Sequence, residues 1–340
     1  MENHNRQVLL KSRPNGMPTT AGFTIIDSPL PEPAEGEVLV RGIYLSLDPY
    51  MRGRMSAARS YARPVEIGAV MEGRVVGEVV RSRDPAFHAG DYVVGGYGWQ
   101  LYSAVPGSGL TKLDPAEAPL STALGVLGMP GLTAYIGVND IGRPQTGETV
   151  VVSAASGAVG AVAAQLAKRA GASVVGVAGG ADKCRFIETE FGIDGAIDHR
   201  GADLDAALDR ACPNGIDVYF ENVGGRLQQA VFPRMNDFGR MVMCGMVAEY
   251  NDVEPRPGPN LMSVVRRRLK IQGFIVSDQW QRWGEYRAMA APLVRSGALK
   301  YREDIVDGLD HAPEAFIGLL QGRNFGKLLI RLGADPTRSG

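Results

Sequence analysis

The chain has 340 residues, of which 45% are hydrophobic and 21% are charged, and its formal net charge is −1. This length and composition are typical of a globular protein of about two domains, and the charge gives no reason to expect nucleic acid or an anionic membrane as a partner. No apolar run is long enough for a transmembrane helix, and the three cysteines have no Cys-x-x-Cys spacing. We therefore expect reduced thiols and a cytoplasmic location.

Residues 1–125 are rich in short β-type runs separated by glycine and proline. Three of these runs lie at 37–41, 73–80 and 91–94. Such spacing predicts a small, barrel-like all-β domain. The sequence G-M-P-G at 128–131 then marks a change towards helix.

From residue 147 onward, strand and helix patterns alternate. This alternation predicts a doubly wound parallel sheet of six strands. The strands are expected at 149–153, 173–177, 194–197, 217–221, 240–244 and 270–275, and the helices at 158–170, 182–191, 203–211, 225–235 and 279–296. Asp310 is then expected to cap a short helix, and a last strand at 327–331 is expected to rejoin the N-terminal domain.

The first strand of this region leads into a turn of small residues. From residue 150 the sequence reads V-V-V-S-A-A-S-G-A-V-G, which places Ala155, Gly157 and Gly160 in an A-x-G-x-x-G arrangement. Gly157 lets the backbone approach a pyrophosphate, and Gly160 lets the helix pack closely on the strand. Ala158 and Val159 supply N–H groups at the helix start, where phosphates bind. The pattern predicts a dinucleotide site; a tight turn without a ligand is the alternative.

The end of the second predicted strand bears on which nucleotide binds. NAD sites usually carry an acidic residue there for the ribose 2′-hydroxyl, but this chain has Ala178, Gly179 and Gly180. A 2′-phosphate would meet no carboxylate at that position and can pair with Lys183, which favours NADPH over NADH. Asp182 also lies nearby, and its carboxylate would count against a 2′-phosphate. Its alternative role, which is the one expected here, is to cap the helix that starts at Lys183. The alternative for Lys183 is a solvated surface lysine.

The positions of cysteine and histidine argue against a metal centre. Zinc dehydrogenases need Cys, His and acidic ligands, yet all three cysteines fall in the second region and the chain has only four histidines. No cluster has zinc-ligand spacing. Reduction of an α,β-unsaturated carbonyl spreads charge into an enolate, which a few hydrogen-bond donors can stabilise without a Lewis acid. Ene or quinone reduction is therefore favoured over alcohol oxidation.

Two tyrosines are the candidate hydrogen-bond donors. Tyr50 follows Asp48-Pro49, which signals a turn, and Tyr250 lies just beyond the fifth predicted strand, at the sheet edge where ligands bind. A tyrosine with an ordinary pKa near 10 donates a hydrogen bond at neutral pH. The alternative for each is a core residue whose hydroxyl is bonded within the protein.

Four further motifs are more specific than the glycine turn. They are Y-L-S-L-D-P-Y-M-R-G-R-M from Tyr44, G-V-L-G-M-P-G from Gly125, E-N-V-G-G from Glu221 and G-R-N-F-G-K from Gly322. With the order of the domains, they resemble the medium-chain dehydrogenase/reductase superfamily, in its zinc-independent branch of prostaglandin reductases and plant double-bond reductases. The resemblance spans nearly the whole chain.

The resemblance implies two domains. Residues 126–305 would form a Rossmann domain that binds the dinucleotide, and residues 1–125 with 306–340 would form a GroES-like β-barrel domain for substrate and catalysis. Within the barrel domain, Tyr50 would line the substrate pocket. Tyr250 would line the same pocket and orient the substrate carbonyl or relay the proton.

The same resemblance implies NADPH as the cofactor. Lys183 matches the lysine that binds the 2′-phosphate, and His199 falls where the family contacts the adenosine side. Asn222 and Asn324 are expected near the nicotinamide half, and Gly245 is expected to leave room for it.

The reaction implied is the metal-independent, NADPH-dependent reduction of the C=C bond of α,β-unsaturated ketones or aldehydes, with hydride to the β-carbon and a proton to the α-carbon. An NADPH-dependent quinone oxidoreductase and a catalytically silent NADPH-binding protein remain as alternatives. The expected partners are a small hydrophobic enone and a second copy of the chain, which would pair through the edge strand that carries Ile271. No nucleic acid and no membrane is expected.

Overall fold

The computed structural model describes residues 4–201 and 203–337. In chain order its strands are β1 (His4–Leu10), β2 (Phe23–Pro29), β3 (Glu37–Ser46), β4 (Arg74–Ser82), β5 (Tyr92–Gly96), β6 (Tyr102–Pro106), β7 (Thr111–Leu113), β8 (Thr149–Ser153), β9 (Ser173–Ala178), β10 (Gly195–Asp198), β11 (Ile216–Glu221), β12 (Met235–Met243), β13 (Lys270–Gly273), β14 (Glu303–Asp307) and β15 (Lys327–Arg331). Its α-helices are α1 (Met51–Arg54), α2 (Met129–Ile136), α3 (Ala158–Arg169), α4 (Ala181–Phe191), α5 (Leu204–Ala211), α6 (Gly225–Val231), α7 (Met262–Arg267), α8 (Trp283–Arg295) and α9 (Ala312–Leu320).

The chain divides into two compact units. The first, called here the N-terminal unit, comprises Met1–Leu124, Glu303–Asn324 and Leu328–Gly340. The second, called here the nucleotide unit, comprises Gly125–Arg302 and Phe325–Lys327.

The N-terminal unit is built on a sheet whose strand order is β14-β15-β3-β4-β5-β7, with β6 also paired to β3. The pairings of β3 with β4, β6 and β15 are all antiparallel, so the last strand returns to this sheet as predicted. Trp99 lies at the centre of the core, stacked on Phe23 at 5.7 Å and edge-on to Phe316 at 5.6 Å. The β-rich N-terminal domain expected from the sequence is thus confirmed.

The nucleotide unit contains a six-stranded sheet with the order β10-β9-β8-β11-β12-β13. Its neighbouring strands are parallel throughout, which confirms the doubly wound sheet. The valines of β8 explain its central place, since Val150, Val151 and Val152 are at most 2% exposed and β-branched residues suit a strand buried on both faces.

The strand order reverses at β8, which lies between β9 and β11. Ligands of doubly wound sheets bind at such a switch point, outside the carboxyl ends of the strands. The helices α3, α4 and α6 begin just after β8, β9 and β11. Their N-termini therefore lie at the same edge as the strand ends.

Three local expectations were wrong. The helix α4 begins at Ala181 after Gly180, whose φ is +99°, so Asp182 lies inside the first turn and pairs with Arg185 at 3.5 Å instead of capping. Asp310 does not cap α9; its carboxylate binds the guanidinium of Arg6 at 2.5 Å. The helix expected at 225–235 ends as α6 at Val231, because Phe232 to Arg234 form a 3₁₀ turn and β12 begins five residues earlier than predicted.

None of the helices among the described residues is long and apolar enough to cross a membrane.

Candidate functional site

The turn between β8 and α3 packs closely on the sheet. The N–H of Ala155 donates to the carbonyl of Val177 on β9 at 3.0 Å. A Cβ on Gly160 would lie 2.3 Å from the carbonyl oxygen of Ala154, so only glycine fits there. Gly157 is the N-cap of α3, with extended φ and ψ of −82° and 173°.

Because the N-cap residue is glycine, it has no side chain to occupy the first N–H groups of α3. Ala158 and Val159 are the first two residues of that helix. The positive end of the helix dipole and these N–H groups form an arrangement that suits an anion.

The side chains of His199, Arg200 and Lys183 lie near the carboxyl end of β9. A Cβ on Gly179 would lie 2.9 Å from Nε2 of His199 and 3.0 Å from Nε of Arg200. Burial lowers the pKa of His199, and the nearby charges of Arg200 and Lys183 lower it further. His199 is therefore a neutral hydrogen-bonding group at pH 7, while Arg200 and Lys183 carry the positive charge.

A carboxylate does lie close to this group, but it comes from β10. Oδ1 of Asp198 accepts the N–H of Gly180 at 2.8 Å and the N–H of Arg200 at 3.0 Å. These two bonds hold the pKa of Asp198 below its usual range. Asp198 thus shapes the loop. No local sequence pattern predicts this contact, because Gly180 is 18 positions away along the chain.

Lys183 belongs to a cluster of aromatic and basic side chains that the sequence analysis missed. Its Nζ lies 6.0 Å from the centre of the Phe325 ring. The guanidinium of Arg302 lies 4.1 Å from the same centre, and Phe186 meets the ring edge-on at 5.0 Å. Phe325 belongs to the G-R-N-F-G-K motif. This motif is the one sequence signal from which its place in the nucleotide unit could have been predicted.

Asn222 is held at the ends of β8 and β11. Its Nδ2 donates to the carbonyl of Ser153 at 2.7 Å, and its N–H donates to the hydroxyl of Ser153 at 2.6 Å. The hydroxyl also lies 3.0 Å from Oε1 of Glu221, which accepts the N–H of Val223 at 2.7 Å. Glu221 is fully buried, and burial raises its pKa. The E-N-V-G-G turn is therefore tied to two strands at once.

Tyr250 lies at this same edge of the sheet. A Cβ placed on Gly245 would lie 2.9 Å from the hydroxyl oxygen of Tyr250. The N–H of Gly245 donates to the carbonyl of Glu221 at 3.1 Å, which fixes Gly245 at the end of β12 beside β11. The structure thus brings Asn222, Gly245 and Tyr250 together.

Tyr50 and Asn324 belong to the N-terminal unit. Asn324 lines a surface cavity of about 260 Å³ there, together with residues such as His311, Glu314 and Arg323. Tyr50 directly precedes the short helix α1.

The surroundings of Tyr50 are strongly charged. The guanidinium of Arg54 lies 5.4 Å from the centre of the Tyr50 ring and 4.4 Å from that of Tyr61, and it binds Glu72 at 2.7 Å. Burial, together with the charges of Asp48 and Glu72, raises the pKa of Tyr50. Its hydroxyl therefore stays protonated at neutral pH and can donate a hydrogen bond.

The metal-ligating residue types are dispersed. Within residues 4–201 and 203–337, no three or more His, Cys, Asp or Glu side chains are grouped so as to hold a metal ion. All three cysteines are free thiols. Burial raises the pKa of Cys244 to about 12, so this thiol, although next to Gly245, is not ionised at neutral pH.

Two family models match the chain. One, described as the N-terminal domain of oxidoreductase, matches residues 6–113, and the other, described as zinc-binding dehydrogenase, matches residues 158–294.

Individual relatives match over nearly the full length. NADPH-dependent curcumin reductase of Escherichia coli (strain K12) is 47% identical over 337 residues, which cover 97% of this chain and 98% of that protein. The NADP(+)-dependent 2-alkenal reductase of Nicotiana tabacum is 41% identical over 338 residues, or 97% of this chain and 98% of that protein. The crystal structure of CurA in complex with NADPH from Vibrio vulnificus superposes with a TM-score of 0.92 at 46% identity and covers 97% of this chain and 100% of that one.

These matches confirm the resemblance drawn from the four sequence motifs. The motifs also resemble those of bacterial curcumin reductase in particular, and the similarity to the Escherichia coli protein agrees with this.

Proposed function

Because the chain belongs to the medium-chain dehydrogenase/reductase superfamily, in its branch of prostaglandin and double-bond reductases, we propose that it reduces the C=C bond of small α,β-unsaturated ketones or aldehydes with NADPH. One observation carries this proposal: Tyr250 lies at the sheet edge that also holds the glycine turn and the basic group around Gly179. That edge is where a doubly wound sheet binds its ligand.

The residues present fit NADPH. The space at Gly157 and the N–H groups of Ala158 and Val159 would hold the pyrophosphate. Gly160 serves the packing of α3, since a Cβ there would collide with the Ala154 carbonyl. Lys183, His199 and Arg200 would surround the 2′-phosphate and the adenosine.

The nicotinamide half is assigned to Asn222, Gly245 and Asn324. When bound, NADPH supplies a hydride, and the substrate receives it at its β-carbon. Asn222 is already fixed by Ser153, and Gly245 keeps open the space that a Cβ would fill beside Tyr250.

The two tyrosines serve the substrate. Tyr250 donates a hydrogen bond to the substrate carbonyl, which stabilises the negative charge that develops there as the C=C bond is reduced. Tyr50, kept protonated by its surroundings, is assigned as a second donor. The α-carbon then takes one proton from Tyr250 or from water, so that the C=C bond becomes a C–C bond and the carbonyl is retained.

The reaction is assigned no metal. Where zinc enzymes of the superfamily carry the motif Gly-His-Glu, this chain has Val70-Met71-Glu72, so that Met71 replaces the histidine. Glu72 instead forms an ion pair with Arg54 beside Tyr50. The hydrogen-bond donors named above supply the charge stabilisation that a zinc ion would otherwise provide.

A homodimer and a cytoplasmic location complete the proposal. The strand β13 lies at the edge of the sheet with all four of its residues exposed. Ile271 on this strand is 40% exposed, and an exposed edge strand is a template for pairing with a second chain. A monomeric mass in light scattering would refute the dimer. The cytoplasmic location draws support from the three free cysteines.

The test compares turnover of an enone with turnover of a quinone. Both reactions are monitored through the loss of NADPH absorbance. We expect the wild-type protein to consume NADPH with the enone and Tyr250→Phe to lose most of its kcat/KM. Turnover of the quinone alone would favour a quinone oxidoreductase. Tight NADPH binding without turnover of either compound would favour a silent binding protein.

A further inference from the structure

Consecutive residues of the turn that leads into Tyr250 form hydrogen bonds with the E-N-V-G-G turn. The N–H of Val247 donates to the carbonyl of Asn222 at 3.1 Å, and the N–H of Ala248 donates to the carbonyl of Val223 at 2.9 Å. These bonds extend the contact between the ends of β11 and β12 beyond the strands themselves.

The third bond in this series is made by a side chain. Oε1 of Glu249 accepts the N–H of Gly225 at 2.7 Å. A Cβ on Gly224 would lie 2.7 Å from the same oxygen, so the carboxyl group closely covers a glycine whose φ is +76°. Gly225 is the first residue of α6, and its N–H has no partner within the helix. The carboxylate therefore satisfies a donor that the helix leaves open.

Glu249 is also the residue directly before Tyr250. Its N–H donates to the carbonyl of Met246 at 2.9 Å, and its own carbonyl accepts the N–H of Asp252 at 3.1 Å. The main chain around Tyr250 is thus a tight turn, and the Glu249 side chain is what fastens this turn to Gly225. A tyrosine whose hydroxyl must stay beside Gly245 depends on the position of that turn.

We propose that Glu249 is a positioning residue for Tyr250. Its carboxylate clamps the Tyr250 turn onto the E-N-V-G-G turn, so the proposed hydrogen-bond donor and the proposed nicotinamide-binding segment keep a fixed distance. This inference rests on the proposed function, because it gives Tyr250 its role. A glutamine at position 249 retains the accepting oxygen and should retain the clamp, whereas alanine removes it.

The first test does not depend on activity. A fluorotyrosine is placed at position 250 of the full chain, and its fluorine NMR signal is recorded with and without NADPH. We expect one narrow line in the wild type and in Glu249→Gln, and a shifted or broadened line in Glu249→Ala. Glu254→Ala, which removes an exposed carboxylate from the following loop, is the matched control and should leave the line unchanged. An unchanged line in Glu249→Ala would overturn the proposal.

The second test is a double-mutant cycle. Glu249→Ala should lower kcat about tenfold, with a change in the NADPH Kd of less than about threefold, and Glu249→Gln should restore kcat. In the Tyr250→Phe background, Glu249→Ala should have almost no further effect, since the group it positions is gone. Equal losses in both backgrounds would refute a role through Tyr250. If Glu249→Ala does not fold, Glu249→Asp, which withdraws the carboxylate by one methylene, replaces it in both tests.

The two proposals fail in different ways. If the wild type reduces no enone, the proposed function is wrong, while the NMR measurement still decides whether Glu249 orders Tyr250. If the wild type is active and the NMR line is insensitive to Glu249, only the positioning role is wrong.

Discussion

The hydroxyl of Tyr250 lies beside Gly245, so close that a Cβ on Gly245 would be 2.9 Å from the hydroxyl oxygen. Gly245→Ala should therefore displace Tyr250 and lower kcat/KM for an enone by about 10- to 100-fold, because a displacement of about 1 Å is enough for such losses. The measurement is steady-state kinetics. Gly284→Ala is the control, since a Cβ there meets nothing within 4 Å. Full activity of Gly245→Ala would mean that the position of Tyr250 is unimportant.

Lys183 should decide between the two nicotinamide cofactors. Its loss removes a charge-assisted hydrogen bond worth about 1.5–3 kcal/mol, so Lys183→Ala should weaken NADPH binding by about 10- to 100-fold and leave NADH binding unchanged. Nucleotide titration gives both values of Kd. Lys168→Ala, which removes a surface partner of Asp194, is the control. Equal wild-type affinity for the two cofactors would contradict the assignment.

The two glycines of the A-x-G-x-x-G turn should respond differently to alanine. A Cβ on Gly160 would be 2.3 Å from the Ala154 carbonyl oxygen, whereas one on Gly157 would be 3.2 Å from it. Gly160→Ala should lower the free energy of unfolding by about 1–3 kcal/mol through overpacking. Gly157→Ala should keep most of the stability but weaken NADPH binding. Urea unfolding and nucleotide titration separate the two effects, and a stable Gly160→Ala protein would contradict the observed packing.

Glu221 should make stability depend on pH. Burial raises its pKa above the ordinary value of 4.5, so the folded protein holds this proton at pH values where the unfolded chain has released it. Stability contributed by the protonated group is therefore lost as the pH rises from the unfolded pKa through the raised folded pKa. Glu221→Gln cannot titrate and should gain stability relative to the wild type over that range. Urea unfolding of both proteins at about pH 5 and about pH 7.5 tests this. A difference that does not change with pH would be inconsistent with a raised pKa.

The elements of the nucleotide unit could be predicted because their signals are local. The valines of β8 indicate a buried strand, and the glycines that follow indicate a tight turn, all within about a dozen residues. As a result, β8 was predicted with its correct bounds at 149–153. The error at Asp182 has a local cause as well. Gly180 takes the N-cap position in a conformation with positive φ, and a sequence pattern does not distinguish that from an Asp cap.

The contacts that complete the site are long-range, and for that reason the sequence did not reveal them. Glu249 meets Gly225, which is 24 positions away, and Asp198 at the end of β10 meets Gly180, which is 18 positions away and follows the neighbouring strand β9. Nothing in either segment marks the partner. Phe325 was missed for the same reason, since Lys183 is distant from it in sequence. Tyr61 lies only seven positions from Arg54, and it was missed because its loop has no periodicity.

The most direct test of the central claim follows the fate of the hydride. The protein is incubated with a simple enone and NADPH carrying deuterium at the transferable position, and the product is analysed by mass spectrometry and NMR. If the protein transfers hydride to the β-carbon as proposed, the product is a saturated ketone with one deuterium at the β-carbon and its carbonyl intact. An allylic alcohol with deuterium on the carbinol carbon would show carbonyl reduction and contradict the proposed reduction of the C=C bond.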